Sequence, residues 1–308
     1  VTKPGYDASV LRLDNGKFLS IKIDGNPKQC YINPREGAIG CFEEACRNVV
    51  CTGAKPIGML DHLQFGNPND PEIFWTFLES LKGLTDFAKD FEIPCVGGKV
   101  SLYNETSDGP IKPTPVIGVI GLIDKKPLKI QKINSGDSLI MVGDTKDELG
   151  GSEYSEYIHK FIGGKCPAVD FSESKKNMNS VLDAIENELI KSAHDCSKGG
   201  LSIAISELCM INQIGCNISL EKIPGEKLDS DKILFSESHS RYLLTIENKN
   251  LSKLEETMKK HNVSYSLIGE FTGDSICFTG DSKPIIDLSV DKAQKTWYNS
   301  LKEMVLHA

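Results

Sequence analysis

The sequence has no apolar run long enough to cross a bilayer. Its longest, TPVIGVIGLI at 114–123, carries two glycines and falls well short of the roughly 20 residues a spanning helix needs. It reads as a buried strand, and no membrane partner is expected. Positive charge is also scarce: 35 Lys and Arg stand against 43 Asp and Glu, giving a formal charge of −8 and a pI near 5.4. Nucleic-acid binding needs clustered Lys and Arg to replace phosphate counterions, so that partner is excluded and any anionic ligand must be met locally. No C-x-x-C pair occurs among the ten cysteines, and a chain of this length needs no disulfide scaffold. Cys41, Cys46 and Cys51 lie five apart, which is not zinc-knuckle spacing. The thiols read as reduced, mostly buried and cytoplasmic. The stretch VTKPGYDASV has neither the basic nor the apolar region of a secretory leader. Its first residue, Val1 rather than Met, reads as an excised fragment.

What is present is a hydrophobic fraction of 39%, a charged fraction of 25% and 27 glycines in 308 residues, the profile of a soluble globular chain large enough for two domains. The boundaries expected are 1–126 and 137–308, with the charged DKKPLKIQKINSGD between them as a linker. In the first part, SVLRLDN and KFLSIKID read as strands. A helix follows over about Gly37–Cys51, with Ile39, Phe42, Ala45, Val49 and Val50 on one face. KPIGML reads as a strand and DHLQFGNPND as a loop. A helix begins near Pro71, and strands follow in PCVGGKV and PTPVIGVIGLI. The second part alternates strands (SLIMVGDT, SRYLLTIE, YSLIGEF, SICFTG) with helices (near MNSVLDAIENELI, LSKLEETMKKH and the tail DKAQKTWYNSLKEMVLHA), so the expected class is layered α/β, of the α+β kind.

Four stretches can carry chemistry. CVGGKVSLYNE is not a Walker A loop, because Ile93 stands where the first glycine belongs and Val100 where Ser or Thr belongs. Its glycine pair can still turn N–H groups toward an anion beside Lys99, or merely ease a strand into a bend. MLDHLQFGNPND offers Asp61, Asn67 and Asp70, either as hard oxygen ligands for Mg²⁺ or as ordinary turn residues. LGGSEY and DCSKGGLS each open onto a helix, whose N-terminus can take a phosphate or be capped by Ser152 or Ser197. LFSESHSRYLLTI sets Ser236 through Ser240 ahead of Arg241 and a strand, as a grip on an oxygen-rich ligand or as an edge.

The long stretches NPREGAIGCFEEACRNVVCTGAKPIGMLDHLQFGNPNDPEIFWTFLESLKGL, VGGKVSLYNET, PTPVIGVIGLI, AHDCSKGGLSIAISE and LFSESHSRYLLTI resemble the carboxyl-terminal half of the synthetase subunit of phosphoribosylformylglycinamidine synthase, within the aminoimidazole ribonucleotide synthetase-like superfamily. The resemblance covers almost the whole chain. It implies an amino-terminal domain that pairs into a barrel and a carboxyl-terminal α/β sandwich. It further implies an ATP- and Mg²⁺-dependent ligase of purine biosynthesis, which turns formylglycinamide ribonucleotide and glutamine-derived ammonia into the amidine. Carried over by position, Asp61 and Gly98 are nucleotide contacts and Ser101 a substrate contact. Lys99 stands where the family usually has a metal-binding Asn, and His62, Gln64 and His239 stand where Asn, Asn and Gln are expected. The implied partners are the missing first half of the synthetase, which carries the catalytic histidine, a glutaminase subunit and a small bridging subunit. Alone, the chain is expected to be inactive and to form a homodimer. Two alternatives stay open. One is a standalone enzyme of the superfamily, for which no full set of acidic Mg²⁺ ligands is found besides Asp61. The other is a non-catalytic nucleotide-binding or assembly module.

Overall fold

In the computed structural model, which describes residues 6–128 and 132–306, the first half of the chain builds a sheet with helices on one side only. Its elements are β1 (Ser9–Arg12), β2 (Phe18–Asp24), α1 (Pro27–Ile32), α2 (Pro34–Val50), β3 (Lys55–Gln64), α3 (Pro71–Phe91), β4 (Cys95–Ser101), a short hairpin of β5 (Glu105–Thr106) and β6 (Gly109–Pro110), and β7 (Thr114–Ile123). The spatial order is β1-β2-β7-β3-β4, antiparallel except for the parallel pair β3–β4. Strand β7 is the long apolar run of the sequence, and its pleat divides it. Pro115, Ile117, Val119 and Ile123 are buried under the helices, while Val116, Ile120 and Leu122 turn to the open face.

Local signals place the helices. Asn33 accepts the Glu36 N–H at the start of α2, with Pro34 in the first helical position. The helix therefore begins three residues ahead of the expected Gly37. Helix α1, capped by Asn26, is an element the sequence reading lacks. Strand β3 also differs from expectation. The segment from Asp61 read as loop continues the ladder through Gln64, paired with β7 on one side and β4 on the other. Apolar alternation explains the extension: Met59 and Leu63 are buried on the helix side with Asp61 between them, and Leu60 and His62 face the other way.

The second half contains β8 (Ser138–Val142), α4 (Glu153–His159), α5 (Phe171–Glu186), β9 (Ser192–Asp195), α6 (Gly200–Asn212), β10 (Cys216–Ser219), α7 (Ser230–Phe235), β11 (Tyr242–Ile246), α8 (Leu251–His261), β12 (Tyr265–Phe271), β13 (Ser275–Gly280), β14 (Lys283–Ser289) and α9 (Val290–Leu306). Seven strands run β14-β13-β10-β12-β8-β11-β9. This sheet is covered on both faces. Leu139 and Met141 of β8 pack with α6, while Ile140 and Val142 pack with α5 and α8. The latter cluster continues into the first half, where it includes Phe42, Val49 and Ile117. The two halves thus share one apolar core, with α2 at the join. Of the expected linker, 129–131 lie outside the described residues. On its near side the Leu128 N–H donates to the Thr52 carbonyl at 2.9 Å, and on its far side Ile133 is buried in the second cluster. Eight of the ten cysteines are buried, and none is paired in a disulfide.

The join is also ionic. Arg47 of α2, fully buried, pairs with Glu43 one turn earlier and reaches across to Asp195 Oδ2 and the Cys196 carbonyl, each at 3.2 Å. Burial works against its charge, but Glu43, Asp195 and Glu44 outweigh this and raise its pKa. From the second half, Ser174 and Ser240 each donate a hydroxyl to Glu43 Oε1, at 3.0 and 3.1 Å.

A second buried carboxylate organises the glycine loops. Glu237 Oε1 accepts the N–H of Glu153 at the start of α4 and the N–H of Gly199 at the cap of α6, both at 2.8 Å. Burial raises the Glu237 pKa to about 7, although the two N–H donors pull it down. A carboxyl raised in the folded state contributes stability below its unfolded pKa and loses it as pH rises through the folded value.

Two outcomes follow. Replacing Arg47 with Met leaves Glu43 and Asp195 buried without their cation, and should cost about 3–5 kcal/mol in chemical denaturation at neutral pH; a loss below 1 kcal/mol would discard the clamp. Wild type should lose roughly 3 kcal/mol between pH 4.5 and pH 8 through Glu237, and E237Q should remove that part of the slope. Identical slopes in the two proteins would show that Glu237 does not titrate in this window.

Candidate functional site

The parallel register of β3 and β4 places Asp61 opposite Gly98, His62 opposite Lys99 and Gln64 opposite Ser101. All four residues carried over by resemblance therefore lie on two neighbouring strands, but the pleat separates them. Asp61 and Gly98 face the helices, aligned with buried Ile117 of β7. Lys99, Ser101, His62 and Gln64 face the open side. On the helix side, a Cβ at Gly98 would overlap a carboxylate oxygen of Asp61. With no side chain there, Asp61 lies across the strand and accepts the Lys99 backbone N–H. Burial raises the Asp61 pKa and this hydrogen bond lowers it, with a net rise. Asp61 lines a pocket of about 460 Å³ between β3 and α3, with Leu81, Leu84, Lys89, Ile93 and Cys95.

On the open side, Gly97 differs from its neighbour: a Cβ there would make only an ordinary 3.6 Å contact with Leu60. Ser101 Oγ lies 3.3 Å from Asn104 Oδ1. The loop residues have structural work instead. Asn104 Nδ2 donates to the carbonyls of Phe65 and Ser101 at 3.0 and 2.9 Å, and Glu105 accepts the Asn67 N–H at 2.8 Å, so VSLYNE and FGNP brace each other. Asn67 accepts the Asn69 N–H, and Asp70 caps α3 through the Glu72 and Ile73 N–H groups. Asn67 and Asp70 are turn and cap residues.

The two glycine loops and the serine cluster meet at Glu237, whose carboxylate takes the N–H groups a phosphate would use. Ser152 caps α4 through the Ser155 N–H, the capping one of the two readings left open for that loop. Ser197 does not cap α6; the cap is Gly199, at a φ of 79° that favours glycine, with no side-chain bond. Ser236, Ser238 and Arg241 bind backbone groups of 145–148 and of their own turn. The cluster is a brace. His239 is buried at the join, with Nδ1 3.7 Å from Glu43 Oε2 and neither ring nitrogen hydrogen-bonded. Burial and then Arg47 hold its pKa well below the ordinary histidine value.

A cluster absent from the sequence reading lies where β2, α2 and β9 converge. Asp7, His194 and Asp195 bring ligand-type atoms within 4.8 Å of one another. Asp7 Oδ1 is 2.8 Å from His194 Nδ1 and accepts the Asp195 N–H at 3.1 Å. Lys22 donates to Asn48 Oδ1 at 3.0 Å and lies 3.7 Å from Asp24 Oδ2, a buried oxygen with no hydrogen bond. Burial, then repulsion from Asp24, pushes the Glu44 pKa well up. Burial raises that of Asp195 to about 6, against the pull of Arg47. Asp7, Lys22, Asn48, His194 and Asp195 border a cavity of about 310 Å³ that Trp297 and Tyr298 of α9 help to line. The sequence reading did not single out this cluster. Its visible trace was the charged turn EEACRN inside an otherwise apolar helix, with Glu44 and Asn48 four apart on one face.

Comparison with known proteins places this geometry. Residues 5–123 match the family described as AIR synthase related protein, N-terminal domain, and residues 134–279 match its C-terminal domain. The phosphoribosylformylglycinamidine synthase subunit PurL of Methanocaldococcus jannaschii is 40% identical over 99% of this chain and 42% of its own length. The chain thus spans about two fifths of that relative. Among solved structures, Thermotoga maritima PurL complexed with FGAR aligns at a TM-score of 0.81 with 20% identity, over 94% of this chain and 48% of that one. The same protein complexed with ATP aligns at 0.78 with 19% identity, over 93% and 46%. The fold is shared along nearly the whole chain. With its two domain models together spanning most of the chain, the protein belongs to the AIR synthase related family.

Proposed function

We propose that the chain is one of two like units of an ATP-dependent C–N ligase of purine biosynthesis, the synthetase that makes formylglycinamidine ribonucleotide from formylglycinamide ribonucleotide and glutamine-derived ammonia. The observation that carries this reading is the 40% identity to a PurL subunit along 99% of the chain, which is only 42% of the relative. In this reading Asp61 and Gly98 contact the nucleotide. A carboxylate only accepts hydrogen bonds and repels phosphate, so Asp61 suits a ribose hydroxyl or a base amine. Ser101, on the other face, contacts substrate. The missing unit covers the open sheet face, where Leu11, Ile23 and Leu60 stay exposed; without it a second copy takes that place as a homodimer. A glutaminase subunit and a small bridging subunit complete the assembly.

Asp7, Glu44, Asn48 and Asp195 would hold Mg²⁺. The fit rests on a surplus of buried acid: two carboxyls are pushed upward and the Asp24 oxygen lacks a hydrogen bond. When bound, the cation supplies charge neutralisation for phosphate oxygens. Lys99 is no ligand, since a protonated ammonium has no lone pair. The chain's own part is positioning, which with charge neutralisation is most of what phosphoryl transfer requires. The acidic set also favours a second reading, a self-sufficient ATP-using enzyme.

Turnover decides between them. The chain alone should release no phosphate from ATP above background, and mixing it with the complementary unit should restore amidine formation. In that mixture D61A should raise the KM for ATP at least tenfold. Turnover by the chain alone would select the second reading. Separately, Mg²⁺ at ten times its Kd should stabilise wild type by about 1.4 kcal/mol, and E44Q should abolish the effect. An equal Mg²⁺ shift in both proteins would remove Glu44 from the site.

A further inference from the structure

One corner of the open sheet face breaks with its surroundings. Across β2, β7 and β3 that face presents Leu19, Ile21, Ile23, Val116, Ile120 and Leu60. At its β3–β4 end it changes to His62, Lys99, Gln64 and Ser101. The Lys99 ammonium has no acidic partner within ion-pair distance among the described residues, and His62 Nε2 is a buried atom without a hydrogen bond. The two residues are register partners on strands about 4.8 Å apart, so their side chains can converge on one small group. Beside them lies Gly97, whose missing side chain nothing in the chain demands. A bare strand, an exposed lysine without an ion-pair partner, an unfilled imidazole nitrogen and the Ser101 hydroxyl, which donates to Asn104 Oδ1, share one patch of an otherwise apolar face.

We propose that His62, Lys99, Gln64 and Ser101 form a site for a phosphoryl oxyanion, bound directly and without a metal ion, with Gly97 admitting the ligand to the strand. The proposal rests on the reading that a phosphorylated ligand comes to β3 and β4, and adds that this part of it needs no cation bridge. Lysine acts here as a point charge, as it does in many phosphate sites. The buried acids around Asp7 and Asp195 lie on the helix side of the sheet, with Lys22 among them, so the two sites divide the charges. One face takes a cation, the other an anion.

The test is calorimetric titration of inorganic pyrophosphate into the full chain in excess EDTA. Wild type should bind, K99M should bind at least tenfold more weakly, and K99R should stay within about threefold of wild type. K99N, which puts a neutral oxygen donor in place of the charge, should bind only when Mg²⁺ is restored. Lys99 lies at the surface of the edge strand β4, and far-UV dichroism with a melting curve confirms that each variant is folded. Wild-type binding that requires Mg²⁺, undiminished binding by K99M, or loss in K22M rather than K99M would each overturn the site. ATP titration of D61A separates this from the nucleotide reading. If D61A keeps full ATP affinity, the assignment of Asp61 fails while the oxyanion site stands; if K99M alone is unchanged, the reverse holds.

Discussion

Everything else in the molecule depends on the buried cation of Arg47. A guanidinium wholly removed from water is tolerable only with its charge matched, and in Arg47 the two terminal nitrogens are bonded while Nε has no partner. Here Glu43 matches it from the same helix, and Asp195 and the Cys196 carbonyl match it from the second half of the chain. The pairing fixes α2 against β9 in both rotation and height, which an apolar contact alone would leave adjustable. Ser174 and Ser240 extend this by binding Glu43 from two further elements. The gain is registry rather than net stability, since apolar groups of similar volume in the same place are often as stabilising.

That registry assembles the acidic cluster. Glu44 and Asn48 neighbour Glu43 and Arg47 in sequence, so whatever sets the clamp also sets how these side chains meet Asp7, Asp24 and Asp195. Desolvation raises the Glu44 and Asp195 carboxyls, and Arg47 offsets only part of the negative charge. One helix thus uses one pair of its residues to hold the halves together and the adjacent pair to leave a local excess of acid. The arrangement differs from that of Glu237, whose charge is answered by backbone N–H groups and which therefore closes a site instead of opening one.

How far the sequence could disclose this depends on the distance over which each feature is encoded. Strands β1, β2 and β7, helix α3 and the glycine pair in β4 were legible because alternation, a proline at the helix start and a short apolar run are local signals. The end of β3 was not. FGNPND is rich in turn residues, and its chemistry masked a ladder that DHLQ completes only by pairing with β7 and β4, both distant in the chain. The acidic cluster was still further from view, since the Asp195 N–H meets Asp7 across 188 positions. Only Glu44 and Asn48, one turn apart, left a trace. The likeness to a known family pointed to residues that prove to be neighbours on β3 and β4, but nothing in a list of positions indicates that a pleat puts them on opposite faces.

The two glycines of β4 show why that face assignment matters. Gly98 is explained wholly within the chain: Asp61 occupies the space of its side chain and takes the Lys99 N–H. Gly97 is not explained in this way, because a methyl group there would meet only Leu60 at ordinary contact distance. An edge strand with a residue-sized gap on its open side ordinarily invites pairing or aggregation, and glycine inside a strand weakens it. On the proposed reading a ligand outside the chain accounts for that cost. The neighbours of Gly97 are a lysine without a counter-ion and a histidine nitrogen without a partner, which suits an anionic ligand, and the apolar sheet around them would confine it to the corner. If Asp61 receives base or sugar on the helix side, as proposed, the pleat makes the edge strand the element over which the two chemistries would meet.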